Sequence, residues 1–429
     1  MRESRKLRAG NRLFDPPVLF TAASISAILQ ARFYPLPGFG RYVETLAIAR
    51  SLAQGNGFAN PFGAMNTGPT AHLAPLFPAL LSAVIRLFGD RDGLVLSATL
   101  LCVLIHALHA VLLPAVSKRL FGDSRPGIWA ALFSIIVPTA RVLPQWESMY
   151  SAVAAMLFCL STPPPGGSVR KPLLEGAKAG AICGLMLLLN PALVTVCVLW
   201  LGFVVLSTPS PVRSRVTLTL AFLAVAGMVC VPWTLRNRHE LGAYFFVRDN
   251  LGLELYAETG DCSQSAPLIC HDMRHPNQSV SEAVALRELG EVPYNRSRLR
   301  LAVQWIGSHP AEFARATCRR IGQFWFPSPG ASPVYEYSQW VVTILSAAGL
   351  VLLFRDRNRA LPFVAASLTI YPLLYYVVQS SIRYRMPVLW LSLLPAGLVM
   401  QRMAACMPGR VSGSVRALIE AARPDTSPS

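Results

Sequence analysis

Carboxylate and imidazole side chains stand at a few polar breaks between the apolar runs of this sequence. Glu44 precedes a run of good helix formers at 45–53, His72 lies in a proline-rich stretch, and Glu147 opens a later apolar run. A carboxylate removed from water has a raised pKa, which suits it to accept a proton from a hydroxyl group. Glu44 and Glu147 are therefore candidate catalytic residues, and His72 is a candidate substrate-binding residue. The alternatives are a helix-capping charge at Glu44, an interfacial charge at Glu147 and a hydrogen-bonded loop histidine at His72.

Four further side chains have the chemistry to bind an anion. Arg383 and Arg385 separate two apolar runs, and Arg248 and Asn250 lie together in a long polar segment. Arginine pairs bidentately with phosphate oxygens, so Arg383 and Arg385 are candidate ligands of a lipid phosphate. Arg248 and Asn250 could position that phosphate or an acceptor. The alternatives are a salt bridge from the arginines to a loop carboxylate, and a role for Arg248 and Asn250 in holding their loop on the membrane helices.

The histidines and cysteines give no clear cofactor site. His106 and His109 share one face of a predicted helix, where two histidines alone make a poor metal site. No CxxC motif or zinc-ligand spacing occurs, so we expect no cofactor and leave a divalent cation open. Cys262 and Cys270 share one polar loop, where an oxidising compartment would permit a disulfide. The alternative for this pair is two free thiols.

The composition places all these residues in a membrane protein. The chain has 429 residues, of which 53% are hydrophobic and 14% charged, whereas about 25% are charged in soluble domains. The net charge of +17 falls in short clusters between apolar runs rather than in one patch. We therefore expect a membrane protein that binds no nucleic acid.

The apolar runs predict an all-α transmembrane bundle of about ten helices. Asn190 and Pro191 interrupt this pattern and form either a tight helical hairpin or the break of a single helix. Basic clusters follow alternate spans, so the positive-inside rule makes these loops cytoplasmic, and the alternation favours ten spans. The predicted spans are 17–33, 93–116, 126–141, 145–161, 177–190, 191–207, 215–235, 338–354, 361–379 and 386–403.

Two long segments then face outward, and they divide the chain into four parts. We predict an N-terminal membrane module at 1–235 with a first outer loop at 34–92, and a mostly helical periplasmic loop domain at 236–337. C-terminal membrane helices at 338–404 and a cytoplasmic tail at 405–429 follow. In the first outer loop we expect one helix that ends at Gly55 and an interfacial helix at 79–88, which is too short to span a bilayer.

The motifs in these outer segments resemble those of a known superfamily. An acidic residue, then "IARSLAQGNGF", then "APLFPALLSAVIRLFG" is similar to the first outer loop of GT-C glycosyltransferases of the protein O-mannosyltransferase and lipid A aminoarabinose transferase type. The pattern R-x-N-x-G-L-E-L at 248–255 and "RYR" at 383–385 resemble a bacterial subgroup. The superfamily commonly has an aspartate beside a tyrosine in the first loop. Here Arg41 and Tyr42 stand at that place, and Glu44 is the only carboxylate of the segment.

The resemblance implies a GT-C-like fold and a glycosyltransferase activity. The protein would lie in the bacterial inner membrane, in contact with its lipids. It would move a hexosyl or pentosyl group from a polyprenyl-phosphate donor to a periplasmic acceptor. Glu44 would be the base and Glu147 a supporting carboxylate, and Arg383 and Arg385 would anchor the phosphate. The alternatives are a degenerate, non-catalytic GT-C-like protein and a lipid or sugar transporter. A transporter needs intramembrane charges along its pathway, and the predicted spans contain almost none.

Overall fold

The computed structural model describes residues 15–33, 43–62, 65–260, 267–329 and 333–406. Within these ranges the chain is helical, and its one extended pairing is an isolated bridge between Ala59 and Pro69. Short 3-10 turns lie at Pro191–Leu193 and Met386–Val388. The α-helices are α1 (Pro16–Phe33), α2 (Glu44–Ala53), α3 (Leu76–Phe88), α4 (Asp92–Phe121), α5 (Arg125–Ile136), α6 (Ser148–Ser161), α7 (Pro172–Leu189), α8 (Val194–Ser207), α9 (Val212–Leu241), α10 (Leu251–Ala257), α11 (Pro267–Arg274), α12 (Val280–Leu289), α13 (Glu291–Ser308), α14 (Pro310–Trp325), α15 (Pro333–Arg355), α16 (Leu361–Ile370), α17 (Leu373–Val377), α18 (Ile382–Arg385) and α19 (Leu389–Cys406).

The chain is a multi-pass membrane protein with an all-α fold, as the sequence predicted. Among the described residues, five helical segments are long and apolar enough to cross a membrane: α4, α7, α9, α15 and Ile382–Cys406. Each of the ten predicted spans overlaps a helix, and the span at 361–379 overlaps two, α16 and α17. Several of these helices are only 10–17 residues long, so the predicted count of ten spans is not confirmed. The predicted division into four parts stays a prediction, and its tail lies outside the described residues beyond 406.

Asn190 separates two helices that form a hairpin, which settles the alternative left open by the sequence. Asn190 is extended, with φ −154° and ψ 103°, and its side chain accepts a hydrogen bond from Ala192 N. The far ends of the two helices meet, because Thr208 Oγ1 donates to Gly167 O over 2.6 Å. The Ser210 hydroxyl likewise accepts from Val169 N over 2.8 Å. Helices α7 and α8 therefore run in opposite directions.

Small residues let neighbouring membrane helices approach closely. Helix α7 carries glycines at four-residue spacing, and a Cβ atom added at Gly180 would lie 2.4 Å from Phe222 O of α9. A Cβ atom added at Gly349 of α15 would lie 2.2 Å from Pro395 O of α19. Lipid tails are as apolar as the side chains of membrane helices, so the hydrophobic effect does not drive helix association there. Van der Waals packing of this kind drives it instead.

Two helices run past the predicted edges of their spans. Helix α9 continues through Arg236 and Arg238 and ends at Gly242, which has a φ of +72°. Helix α15 begins at Pro333, ahead of the predicted start of its span at 338. Charged and polar residues end an apolar run but do not end a helix, whereas a glycine with positive φ does. The predicted start of the second outer segment at 236 therefore lies inside a helix.

The two long polar segments pack together at one end of the bundle. Phe62 of the first segment is buried against Leu253, Leu286 and Tyr294 of the second. The backbone N–H of Asp249 donates to Ala71 O over 3.1 Å. This junction positions the candidate site, because residues from both segments and from the nearby helix ends meet there.

Candidate active site

A cavity of about 120 Å³ lies where the two polar segments meet the ends of the membrane helices. Apart from the cysteines, the sequence predicted seven site residues, and five of them line this cavity: Glu44, His72, Glu147, Arg248 and Arg383. These five come from widely separated parts of the chain. The fold therefore brings into one place the residues that the sequence selected by type alone.

Glu44 is the first residue of α2, where a carboxylate is favoured by the helix dipole. Asn277 Nδ2 donates a hydrogen bond to Glu44 Oε1, so the second polar segment orients this carboxylate. Burial raises the pKa of the Glu44 carboxyl above its usual value, although a backbone hydrogen bond and the charge of Arg383 oppose that shift. A carboxylate with increased proton affinity has the property that a general base requires.

Arg383 lies in α18 with its guanidinium carbon 3.6 Å from the ring centre of Trp146. Arg383 Nη2 donates to the Tyr384 hydroxyl over 2.9 Å, and that hydroxyl donates to Gln379 Oε1 over 3.0 Å. Arg383 also interacts electrostatically with Glu44, and it forms none of the ion pairs found between described residues. Its buried Nε–H has no hydrogen-bond partner among them. A fixed guanidinium with an unused donor is suited to bind an anion.

Arg385 and Asn250 do not line the cavity. Arg385 is 2% exposed, and its Nη1 donates to Thr343 Oγ1 over 2.8 Å and to Gln339 O over 3.2 Å. Its guanidinium thus joins α18 to α15, and we assign it to the fold rather than to phosphate binding. Asn250 Nδ2 donates to Glu254 Oε1 over 2.9 Å, so this residue contacts the site through another side chain.

Glu147 and Arg248 line the cavity and also make contacts that hold the backbone. Glu147 directly precedes α6, and its carbonyl oxygen accepts a hydrogen bond from Ser151 N over 2.8 Å. Arg248 Nε donates to His72 O over 2.9 Å. Arg248 therefore joins the second polar segment to the first, and its side chain also lines the cavity.

One glutamate and two histidines that line the cavity were not predicted as site residues: Glu254, His271 and His275. His72 Nε2 lies 3.9 Å from Glu254 Oε1, and the rings of His271 and His275 stack at 5.0 Å. His271 and His275 are four residues apart, and this spacing places side chains on one face of a helix. That spacing was the available signal, but the sequence does not show that the face meets Glu44.

Three of the cavity residues could together hold a divalent cation. The ligand atoms of Glu44, His72 and His275 all lie within 4.8 Å of one another. Burial lowers the pKa of His72 to about 3 and that of His275 to about 4, so both imidazoles are neutral and can offer a lone pair. Two imidazoles and a carboxylate are a known ligand set for zinc. The sequence did not decide whether a divalent cation binds, and these three residues form a suitable set of ligands for one.

The remaining predicted groups lie elsewhere. Cys262 is outside the described residues, so its bridge to the buried Cys270 stays a prediction. His106 Nδ1 lies 2.8 Å from Cys102 O of its own helix. His106 and His109 border a separate cavity of about 20 Å³, in agreement with a packing role.

Comparison with known proteins bears on the fold. No family model matches this sequence, and no curated protein matches it. The crystal structure of the Archaeoglobus fulgidus oligosaccharyltransferase, tethered to an acceptor peptide that contains the NVT sequon, matches with a TM-score of 0.54 and 12% identity. The match covers 95% of this chain and 54% of the archaeal one, so this chain spans about half of that protein's length. ArnT from Cupriavidus metallidurans, bound to undecaprenyl phosphate, matches with a TM-score of 0.38 and 15% identity over 90% of this chain and 78% of ArnT. The first of these similarities shows that the chain shares its fold with the archaeal oligosaccharyltransferase.

Proposed function

We propose that this chain is a membrane glycosyltransferase that moves a sugar from a polyprenyl-phosphate donor to an acceptor on the periplasmic side of the bacterial inner membrane. The main support is that one cavity holds both Glu44 and Arg383, in a chain with a GT-C-like fold. One of these residues is suited to accept a proton and the other to bind a phosphate. The polyprenyl class of donor follows from the resemblance of the outer segments.

The proposed reaction assigns a step to each group. The bond between the sugar carbon and the phosphate oxygen breaks, and the acceptor oxygen forms a bond to the same carbon. Glu44 takes the proton of the acceptor hydroxyl, which its raised pKa favours. The lipid leaves as polyprenyl phosphate, and its negative charge pairs with Arg383. Glu147 interacts electrostatically with Arg383 and would keep the guanidinium in place when no phosphate is bound.

We also propose that Glu44, His72 and His275 can hold a divalent cation. A cation there would stabilise negative charge on the donor phosphate. A carboxylate beside a cation has a lower affinity for protons, so ligand and base are competing roles for Glu44. Transfer that persists with a chelator would select the base, and transfer that stops and is restored by Zn²⁺ or Mn²⁺ would select the ligand.

The decisive experiment measures release of undecaprenyl phosphate by the purified chain in nanodiscs. The donors are a panel of undecaprenyl-phosphate hexoses and pentoses, and a cell-envelope extract supplies acceptors. Glu44→Gln keeps the side-chain size and should lower release by at least about 100-fold, the lower end of a general base's contribution. Binding of undecaprenyl phosphate should remain.

Glu240→Gln is the matched control, because Glu240 is an exposed glutamate near the end of α9. It should release undecaprenyl phosphate at the wild-type rate. Full activity of Glu44→Gln would reject the catalytic role of Glu44. A wild-type chain that binds undecaprenyl phosphate and releases none from any donor would favour the degenerate alternative.

A further inference from the structure

The backbone at 70–72, which carries His72 into the cavity, is held by the second polar segment and the end of α9. The carbonyl of its first residue accepts from Arg236 Nη1 over 2.6 Å. The next carbonyl accepts from Asp249 N over 3.1 Å, and the third accepts from Arg248 Nε over 2.9 Å. Every carbonyl of this segment therefore has a partner more than 160 residues away in the sequence.

Glu291 holds the same segment from its other side. Its Oε1 accepts from Ala71 N over 2.6 Å, and its Oε2 accepts from the Thr70 hydroxyl. The Thr70 Oγ1 atom in turn accepts from the backbone N–H of His72 over 3.0 Å. One turn further along α13, Asn295 Nδ2 donates to Asp249 O over 2.8 Å. One face of α13 thus fixes both the segment at 70–72 and the backbone that binds it.

The chemistry of Glu291 exceeds what packing alone needs. Glu291 is 8% exposed and is not among the residues that line the cavity. A buried carboxylate is costly unless hydrogen bonds compensate for its lost hydration. An apolar side chain would fill the same volume without that cost, but it would leave the N–H of Ala71 without its acceptor. The presence of a carboxylate at this position is therefore explained by the hydrogen bonds that it accepts from Ala71 N and the Thr70 hydroxyl.

We propose that Glu291 is a positioning residue that fixes His72 in the cavity by binding the two residues before it. The importance of that position rests on the proposed function, because His72 belongs to the candidate site. The contact itself does not depend on the reaction. Its consequences can therefore be measured separately from transfer.

The first measurement is hydrogen–deuterium exchange of the full chain in nanodiscs. Glu291→Leu should raise exchange at 70–72 by about tenfold, which corresponds to about 1.4 kcal/mol, and should leave α4 and α9 unchanged. Glu291→Gln should retain wild-type protection, because its amide oxygen can still accept from Ala71 N and its amide N–H₂ can bond the Thr70 oxygen. Glu288→Leu is the matched control, since Glu288 is an exposed glutamate near the end of α12.

The second measurement is the rate at which diethyl pyrocarbonate modifies His72, read by mass spectrometry. His72 is 4% exposed, and His239, with a side chain 84% exposed, is the internal reference. Glu291→Leu should raise the rate at His72 about tenfold relative to His239, and Glu291→Gln should not. If Glu291→Leu fails to fold, Thr70→Val removes one of the two Glu291 contacts together with the acceptor of the His72 N–H. Its effect on Glu291 is therefore read at Ala71, where exchange should rise to a smaller extent.

The outcomes separate this inference from the proposed function. Exchange that rises equally throughout the chain, or that rises neither at 70–72 in Glu291→Leu nor at Ala71 in Thr70→Val, overturns the positioning role. In the release assay, Glu291→Leu should lose activity but bind undecaprenyl phosphate as the wild type does. Glu291→Gln should remain active. If the wild type releases nothing, the proposed function fails, while the exchange and modification rates still decide the role of Glu291.

Discussion

Arg383 and Arg385 stand two residues apart, and the structure gives opposite expectations for replacing each with lysine. The Arg383 guanidinium faces the cavity and stacks on Trp146 at 3.6 Å. The Arg385 guanidinium points away and binds Thr343 Oγ1 and backbone carbonyls. Lysine keeps the positive charge in both variants but loses the planar, multiply bonding group. We expect Arg383→Lys to weaken phosphate binding and Arg385→Lys to weaken the fold.

The contacts of each residue set the size of the effect. A hydrogen bond to a charged group is worth about 1.5–3 kcal/mol, so losing one of two bonds to phosphate should raise the Kd about 10- to 100-fold. Losing the stacking on Trp146 acts in the same direction. For Arg385→Lys, loss of at least one of its buried hydrogen bonds should lower stability by about 1–3 kcal/mol, with no direct effect on the cavity.

The assay compares two lipids that differ only in the head group. Binding of undecaprenyl phosphate and of undecaprenol is measured for each variant in nanodiscs, together with the thermal midpoint of unfolding. Arg383→Lys should lose affinity for undecaprenyl phosphate alone, at an unchanged midpoint. Arg385→Lys should lower the midpoint and keep both affinities within about twofold. An Arg383→Lys variant that keeps full affinity, or loses affinity for both lipids equally, would refute the phosphate assignment.

Three other perturbations follow from the same structure. Burial raises the pKa of Glu291 from 4.5 to about 7, so the folded chain keeps a proton that the unfolded chain releases. Resistance of the polar segments to proteolysis should therefore be greatest below pH 4.5 and fall as the pH rises through 7, by at most about 3 kcal/mol, and Glu291→Gln should abolish this dependence. Gly180→Leu should lower the thermal midpoint by an equivalent of about 1–3 kcal/mol, because its side chain would meet Phe222 O, whereas Gly202→Leu, which meets nothing within 4 Å, should not. His275→Ala should weaken binding of Zn²⁺ at least about tenfold by isothermal titration calorimetry, and an unchanged affinity would remove His275 from the ligand set.

The helices could be predicted because apolar runs in lipid leave the backbone little choice but to form them. The hairpin at Asn190 could not, because an Asn-Pro pair breaks a helix in the same way whether the chain turns back or continues. The contact from Thr208 to Gly167 decides it, and that contact joins residues 41 positions apart. The apolar pattern also does not determine the number of spans, since helices such as α5 and α6 are too short to cross a bilayer untilted.

The difference between Arg383 and Arg385 has a simple geometric origin. The sequence assigned them together, as a connection between two spans, but they lie on a helical turn. Residues two apart on an α-helix project about 200° from each other, so the two guanidinium groups lie on different sides of this turn. One arginine faces the cavity, and the other faces α15. The two arginines therefore differ in the direction that the local backbone gives them, not in the chemistry of their side chains.

The remaining part of the site depends on long-range contacts that no local pattern contains. Glu44 is oriented by Asn277, which lies 233 residues away, and His72 is held by a backbone that Arg248 and Glu291 bind. Neither polar segment therefore forms the site alone. The first supplies the candidate base, and the second fixes its direction. Glu44 is the first residue of α2, and its side chain has more conformations to restrict than the shorter side chain of an aspartate. The hydrogen bond from Asn277 is the contact that restricts them.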